Sequence, residues 1–196
     1  MWQSHPTTMS PTVEARDRLN IVSYLEEVRG TTDVDRQALY DLLSGILTHE
    51  QGVGKMYWQY TQQTTNQELK DRWQKFGKET EAHRRIAEKV IVALDGDPSY
   101  KSTIARDHER MMECITPIES QGCAGDHIRL TNLVKAENVS KLLWTSLRRI
   151  AVNVKDPSTA KILWDASRIT MPTTEEHVNW NSAMYESCVD KLVMRM

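Results

Sequence analysis

Five ionisable side chains lie on helix faces that are otherwise apolar, and they carry most of the chemistry this sequence offers. Leu43, Ile46, Leu47, Val53 and Tyr57 fall at offsets of three, four and seven from Glu50, so at helical spacing its carboxylate shares their inward face. Trp73, Phe76, Ile86, Ala87 and Val90 draw the same stripe around His83. Glu79, one turn earlier, is placed to converge with His83 on one target. Leu130, Leu133, Val134 and Trp144 surround Glu137, while Trp180, Met184 and Cys188 follow His177 at three, seven and eleven. A carboxylate in a dry interior costs several kcal/mol unless it is protonated, paired or bound to a cation. Glu137 has Lys141 as an i,i+4 partner, but the same neighbour of Glu50 is Gly54. Mixed carboxylate and imidazole donors suit iron or manganese, and carboxylates can bridge two ions. Glu50, Glu79, His83, Glu137 and His177 are therefore the candidate metal ligands. The plainer alternative is acids on solvated faces and histidines bonded to backbone carbonyls.

Such residues need long helices to hold them. With 8 glycines and 6 prolines in 196 residues, chain breakers fall below the roughly 12% of average usage, which favours helices and argues against a β-sandwich. Residues 1–30 read as a polar arm and a short helix that starts at Ser10-Pro11 and stops at Gly30; residues 31–196 read as the main helical body. In that body a helix starts near Thr32, with Asp35 placed for a capping interaction, and runs to about Thr64, and Thr65-x-x-Glu68 boxes the start of the next. That second helix reaches Asp95, with Gly96 as its left-handed terminator before Asp97-Pro98. A shorter helix spans Ser99 to Cys114, and Thr116-Pro117 announces another start. A long helix follows from Asp126, or from Pro117, to Val154. The last helical region, Ser158 to Val193, is expected to kink or break at Pro172 and to be recapped by Thr173-x-x-Glu176. A faint repeat joins the halves: Glu50, Lys55, Trp58, Trp73 and Glu79 to His83 in one, Glu137, Lys141, Trp144, Trp164 and Thr173 to His177 in the other.

Over about residues 33 to 195 the chain resembles the ferritin-like superfamily, with rubrerythrin-type proteins closest in character. LLSGILTHEQGVGKMYWQY is similar to a first ferritin-like helix carrying Glu50, and WQKFGKETEAHRRIAEKVIVALDGDPSY to a second carrying His83. Glu137 in LVKAENVSKLLW and His177 in TTEEHVNW match the ligands of the third and fourth. The resemblance implies an all-α ferritin-like four-helix bundle with a crossover connection and an extra N-terminal helix. It also implies an iron or manganese centre of one or two ions, and ferrous oxidation, peroxide reduction or O2-dependent oxidation. Homo-oligomers are common among such proteins. The chain departs from the family pattern at Thr80 and Thr174, where the strict Glu-x-x-His motif has glutamate. Glu79 substitutes for the first by one residue, and nothing substitutes for the second. The second reading is therefore a degenerate ferritin-like bundle without metal, serving as a structural or protein-interaction subunit.

The remaining features exclude more than they assign. A net charge of -2 argues against an electrostatic nucleic-acid binder, and no apolar run reaches the roughly 18 residues of a membrane helix. Cys114, Cys123 and Cys188 form no C-x-x-C pair, which suggests neither a disulfide framework nor a thiolate zinc site, and a reducing cytoplasm is the default expectation. Tyr57, Trp58, Trp73, Trp144 and Trp164 read as core, with Tyr57 also able to sit beside a metal centre. Gly52 and Gly54 each cost a helix about 1 kcal/mol, so a close helix approach or a small cavity near Glu50 is expected. Asp107, His108 and Glu109 point to different faces and read as surface.

Overall fold

The structure is a computed structural model that describes residues 33–115 and 120–193; the expected N-terminal arm and helix and the Thr116-Pro117 helix start lie outside the described residues. The described residues form five helices: α1 (Arg36–Gln63), α2 (Gln67–Ala93), α3 (Thr103–Ile115), α4 (Gly122–Asn153) and α5 (Pro157–Val193). No helix among them is long and apolar enough to cross a membrane.

Four long helices pair as two antiparallel hairpins, α1–α2 and α4–α5, and α3 joins them. Gly45 faces Ile104, His49 meets His108, and Gly52 faces Met112, so α3 runs parallel to α1 and carries the chain back to the end where α1 finishes. A Cβ on Gly52 would stand 2.5 Å from Met112 Cγ, and one on Gly45 2.6 Å from Ile104 Cγ2. Close approach of the crossover helix thus accounts for Gly52. Gly54 has only Thr80 Cγ2 at 3.9 Å, an ordinary contact.

Helix boundaries follow side-chain chemistry, with several shifts from expectation. Asp35 accepts the Ala38 N–H at 3.1 Å, as expected of a cap. For α2 the cap is Asn66 rather than Thr65, because Asn66 Oδ1 reaches both the Glu68 and Leu69 N–H groups. At its far end Asp95, not Gly96, takes the positive φ of 63°. Asp95 N–H donates to Val92 O and Gly96 N–H to Ile91 O, the paired bonds of a Schellman ending. Gly96 is needed for room instead, since a Cβ there would lie 2.9 Å from Ile91 Cγ2 and 3.0 Å from Tyr40 Cε1. The crossover helix begins at Thr103, later than Ser99, with the Ser102 hydroxyl accepting the Ala105 N–H.

Gly122 opens α4 at φ 64°, and Gly125 lets the Ser120 carbonyl fold back over the first turn to meet the fully buried Arg129. Arg129 also bonds Asp126 at 2.9 Å and Gln63 at 3.2 Å, which ties the start of α4 to the end of α1. Helix α5 is unbroken through Pro172. Thr173 and Thr174 do not recap it: their hydroxyls donate back to the Thr170 carbonyl at 2.9 and 3.0 Å. Trp58 is a further correction, because it is 69% exposed whereas Trp73 and Trp144 are fully buried. Exposure leaves Trp58 without the core role its spacing suggested.

Two apolar clusters fill the interior. One gathers Leu43, Ile46, Ala87, Trp144, Leu147 and Leu163; the other gathers Val53, Tyr57, Trp73, Phe76, Leu130 and Leu133. Between them, on all four long helices, lies a polar layer.

Candidate metal centre

The layer contains Glu50 from α1, Thr80 and His83 from α2, Glu137 and Ser140 from α4, and Thr170, Thr174 and His177 from α5, every one buried. Glu79 stands at its edge, with about a quarter of its side chain exposed. All five candidate residues are thus connected in one place. Within each hairpin a carboxylate faces an imidazole Nδ1: Glu50 Oε2 lies 3.6 Å from His83 Nδ1, and Glu137 Oε1 lies 3.0 Å from His177 Nδ1. The two rings lie 6.0 Å apart, stacked at 24°.

Between the hairpins the bonds are reciprocal. Tyr57, two turns after Glu50, donates to Glu137 Oε1 at 2.7 Å; Trp144, two turns after Glu137, donates to Glu50 Oε1 at 2.9 Å. Glu79, four residues before His83, meets His177 Nε2 at 3.0 Å. Thr173, four before His177, meets His83 Nε2 at 2.7 Å. An approximate two-fold axis therefore relates the hairpins, and the counterpart of Trp144 is Tyr57 rather than Trp58. Glu79 does not converge with His83 on a shared target: its oxygens go to His177 and, at 3.5 Å, to Lys75. Nor does Glu137 pair with Lys141, which reaches across to Glu175 at 3.2 Å.

Proton counting separates the two halves. Thr173 Oγ1 lies 2.9 Å from the Thr170 carbonyl and 2.7 Å from His83 Nε2; when its one proton goes to the carbonyl, its oxygen accepts from His83 Nε2–H, and when the proton goes to Nε2, Nδ1–H is left to donate to Glu50. In the first arrangement a neutral His83 turns a bare Nδ1 lone pair toward the Glu50 carboxylate, and a cation between them makes that contact attractive. At His177 both nitrogens face carboxylate oxygens, an arrangement that favours the doubly protonated imidazolium. Burial pulls the His177 pKa down, but Glu137 and Glu79 outweigh it and hold the ring above the ordinary histidine value. Burial pushes Glu50 up, and the contacts from His83, His49 and Trp144 more than reverse this, leaving it below the ordinary carboxylate value. Burial and the neighbouring Glu137 push the Tyr57 phenol well above its usual range.

Donor chemistry fits an iron or manganese ion best in the α1–α2 half. There a carboxylate oxygen and an imidazole nitrogen stand 3.6 Å apart, wider than the roughly 3 Å between adjacent ligands on an ion with bonds of about 2.1 Å, so the two side chains would close on the ion. Thr80 Oγ1, on the turn before His83, is buried with no hydrogen-bond partner among the described residues, so the layer has bonding capacity to spare. The number of donors is small: among the described residues no group of three or more His, Cys, Asp and Glu is arranged to hold a metal ion.

Trp144, Asn181 and Thr173 belong to the layer by structure, though their sequence positions gave no functional reading. Asn181 bridges Trp73 Nε1 at 3.1 Å and the Tyr57 hydroxyl at 3.0 Å. Its position four residues after His177, on a buried helix face, was the available signal. No family model, curated protein or solved structure matches this chain.

Proposed function

We propose that this chain is a ferritin-like bundle that binds one iron or manganese ion at Glu50 and His83 and uses it toward O2 or peroxide. The observation behind this reading is a buried carboxylate, Glu50, facing Nδ1 of the buried His83. Thr173 holds the ring at Nε2 and leaves Nδ1 toward a buried carboxylate, the orientation in which an outer partner prepares a histidine ligand. Trp144 orients Glu50 in the same way from the other oxygen. A bound ferrous or manganous ion supplies one-electron exchange with O2 or peroxide. The chain's own groups position and shield: Glu50 and His83 are the ligands, and the two apolar clusters restrict water. Glu137 and His177 form the second half, which already carries its own neutralising proton, and Glu79 orients His177 from the outer side.

A metal-free bundle serving as a structural or interaction subunit is the second reading. It is favoured by the saturation of His177 by two carboxylates and by threonine at positions 80 and 174. Elemental analysis after anaerobic loading with ferrous or manganous ion decides between them. About one ion per chain, lost in Glu50→Ala and in His83→Ala but kept in Glu79→Gln, is the expected result. No retained ion under either condition refutes the metal reading and leaves the second one standing.

A further inference from the structure

Away from the polar layer, two thiols meet at the open end of the α4–α5 hairpin. Cys123 lies in the first turn of α4 and is exposed; Cys188 lies near the end of α5 and is buried. Contacts along the hairpin set an antiparallel register, from Lys141–Glu175 at 3.2 Å, through Glu137–His177 at 3.0 Å, to the His127 and Tyr185 rings at 4.8 Å. One turn further the same register brings Cys123 opposite Cys188 across the α4–α5 interface, close enough for Cys123 to act on the Cys188 thiol. Sequence spacing hides this pair, because its members are about 65 residues apart.

We propose that Cys123 and Cys188 are a reversible oxidation site, closed by a hydroperoxide to an intrachain disulfide that staples the two ends of the α4–α5 hairpin. Exposed Cys123 meets the oxidant first. Its thiolate attacks the O–O bond, an S–O bond forms as O–O breaks, and hydroxide or alkoxide leaves and takes up the proton the thiol had released, giving a sulfenic acid and water or an alcohol. The Cys188 sulfur then attacks Cys123 Sγ; the S–S bond forms, S–O breaks, and the thiol proton departs with the hydroxide as water. The two sulfurs give up two electrons and the peroxide takes them; a dithiol reductant reverses the exchange. Burial, with Cys123 and Asp126 alongside, pushes the Cys188 thiol up to about 11, which keeps it from competing for the oxidant.

The test treats the full chain with hydrogen peroxide, alkylates the remaining thiols, and maps peptides by mass spectrometry without reduction. Expected are a monomer with a Cys123–Cys188 linked peptide and a thermal midpoint raised by about 10 °C, undone by dithiothreitol. Cys114→Ser behaves identically, whereas Cys123→Ser, at an exposed position, keeps the fold but loses both the link and the rise. Cys188→Ser traps a sulfenic acid at Cys123 that dimedone labels. A Cys114–Cys123 link, disulfides between chains, or full alkylation of Cys188 after oxidation would each overturn the proposal. Should Cys188→Ser fail to fold, the peptide map and Cys123→Ser still decide it.

Discussion

At the scale of single residues, the polar layer is defined by who gives protons to whom. The Tyr57 hydroxyl donates to Glu137 and accepts from Asn181, so Tyr57→Phe leaves a buried carboxylate oxygen one donor short and an amide one acceptor short. The expected cost is about 1–3 kcal/mol, read from urea denaturation midpoints at constant slope. An unchanged midpoint would show that this bond contributes nothing. Glu50, His83, Glu137 and His177 were legible in the sequence because an ionisable residue on an apolar helical stripe needs no knowledge of its neighbours. Trp144 and Thr173 were not legible in their roles, since donation to Glu50 and to His83 depends on how α1 and α4, or α2 and α5, line up. Trp58 failed for a related reason: it sits one residue from Tyr57, and only packing decides which of the two aromatics turns inward.

At the scale of elements, the crossover helix α3 lies on α1 closely enough to decide what each glycine of α1 is for. Gly52→Ala forces Met112 aside and is expected to destabilise by about 1–3 kcal/mol. Gly54→Ala meets only an ordinary contact and should stabilise by about 0.5–1 kcal/mol through lower chain entropy in the unfolded state. Thermal melts of the two variants should therefore move in opposite directions, and movement in the same direction would contradict the crossing geometry. Helix existence and order were readable from periodicity and punctuation. Ends were less so: Asn66 displaced Thr65 as a cap, and Asp95 took the backbone conformation assigned to Gly96. Around Pro172 the Ser167, Thr170, Thr173 and Thr174 hydroxyls bond backward to the Trp164, Ala166 and Thr170 carbonyls of the same helix, while the ladder bond that the proline removes is the one to the Arg168 carbonyl four residues earlier.

At the scale of the whole molecule, stability carries the titration of the buried histidines. His49, facing Glu50 and His108, donates through Nε2 to the Ala136 carbonyl, and burial pulls its pKa from 6.5 down to about 4. A group that binds its proton more weakly when folded contributes stability above its unfolded pKa and loses it as pH falls. Stability should therefore decline between about pH 6.5 and pH 4 by up to ~3 kcal/mol from His49 alone. Urea midpoints across that range should fall in the native chain and flatten in His49→Gln. His177 acts with opposite sign: its raised pKa stabilises at low pH, and that contribution fades as pH climbs through the folded value. The reciprocal bonds between the hairpins have a consequence for alignment. Apolar ridges repeat along a helix, so greasy faces alone allow one hairpin to slide past the other by a turn of about 5.4 Å and still interlock. Such a slide would part Tyr57 from Glu137, Trp144 from Glu50, His177 from Glu79 and His83 from Thr173 at one stroke. The layer is thus the molecule's vernier: it admits a single axial setting of two otherwise similar halves.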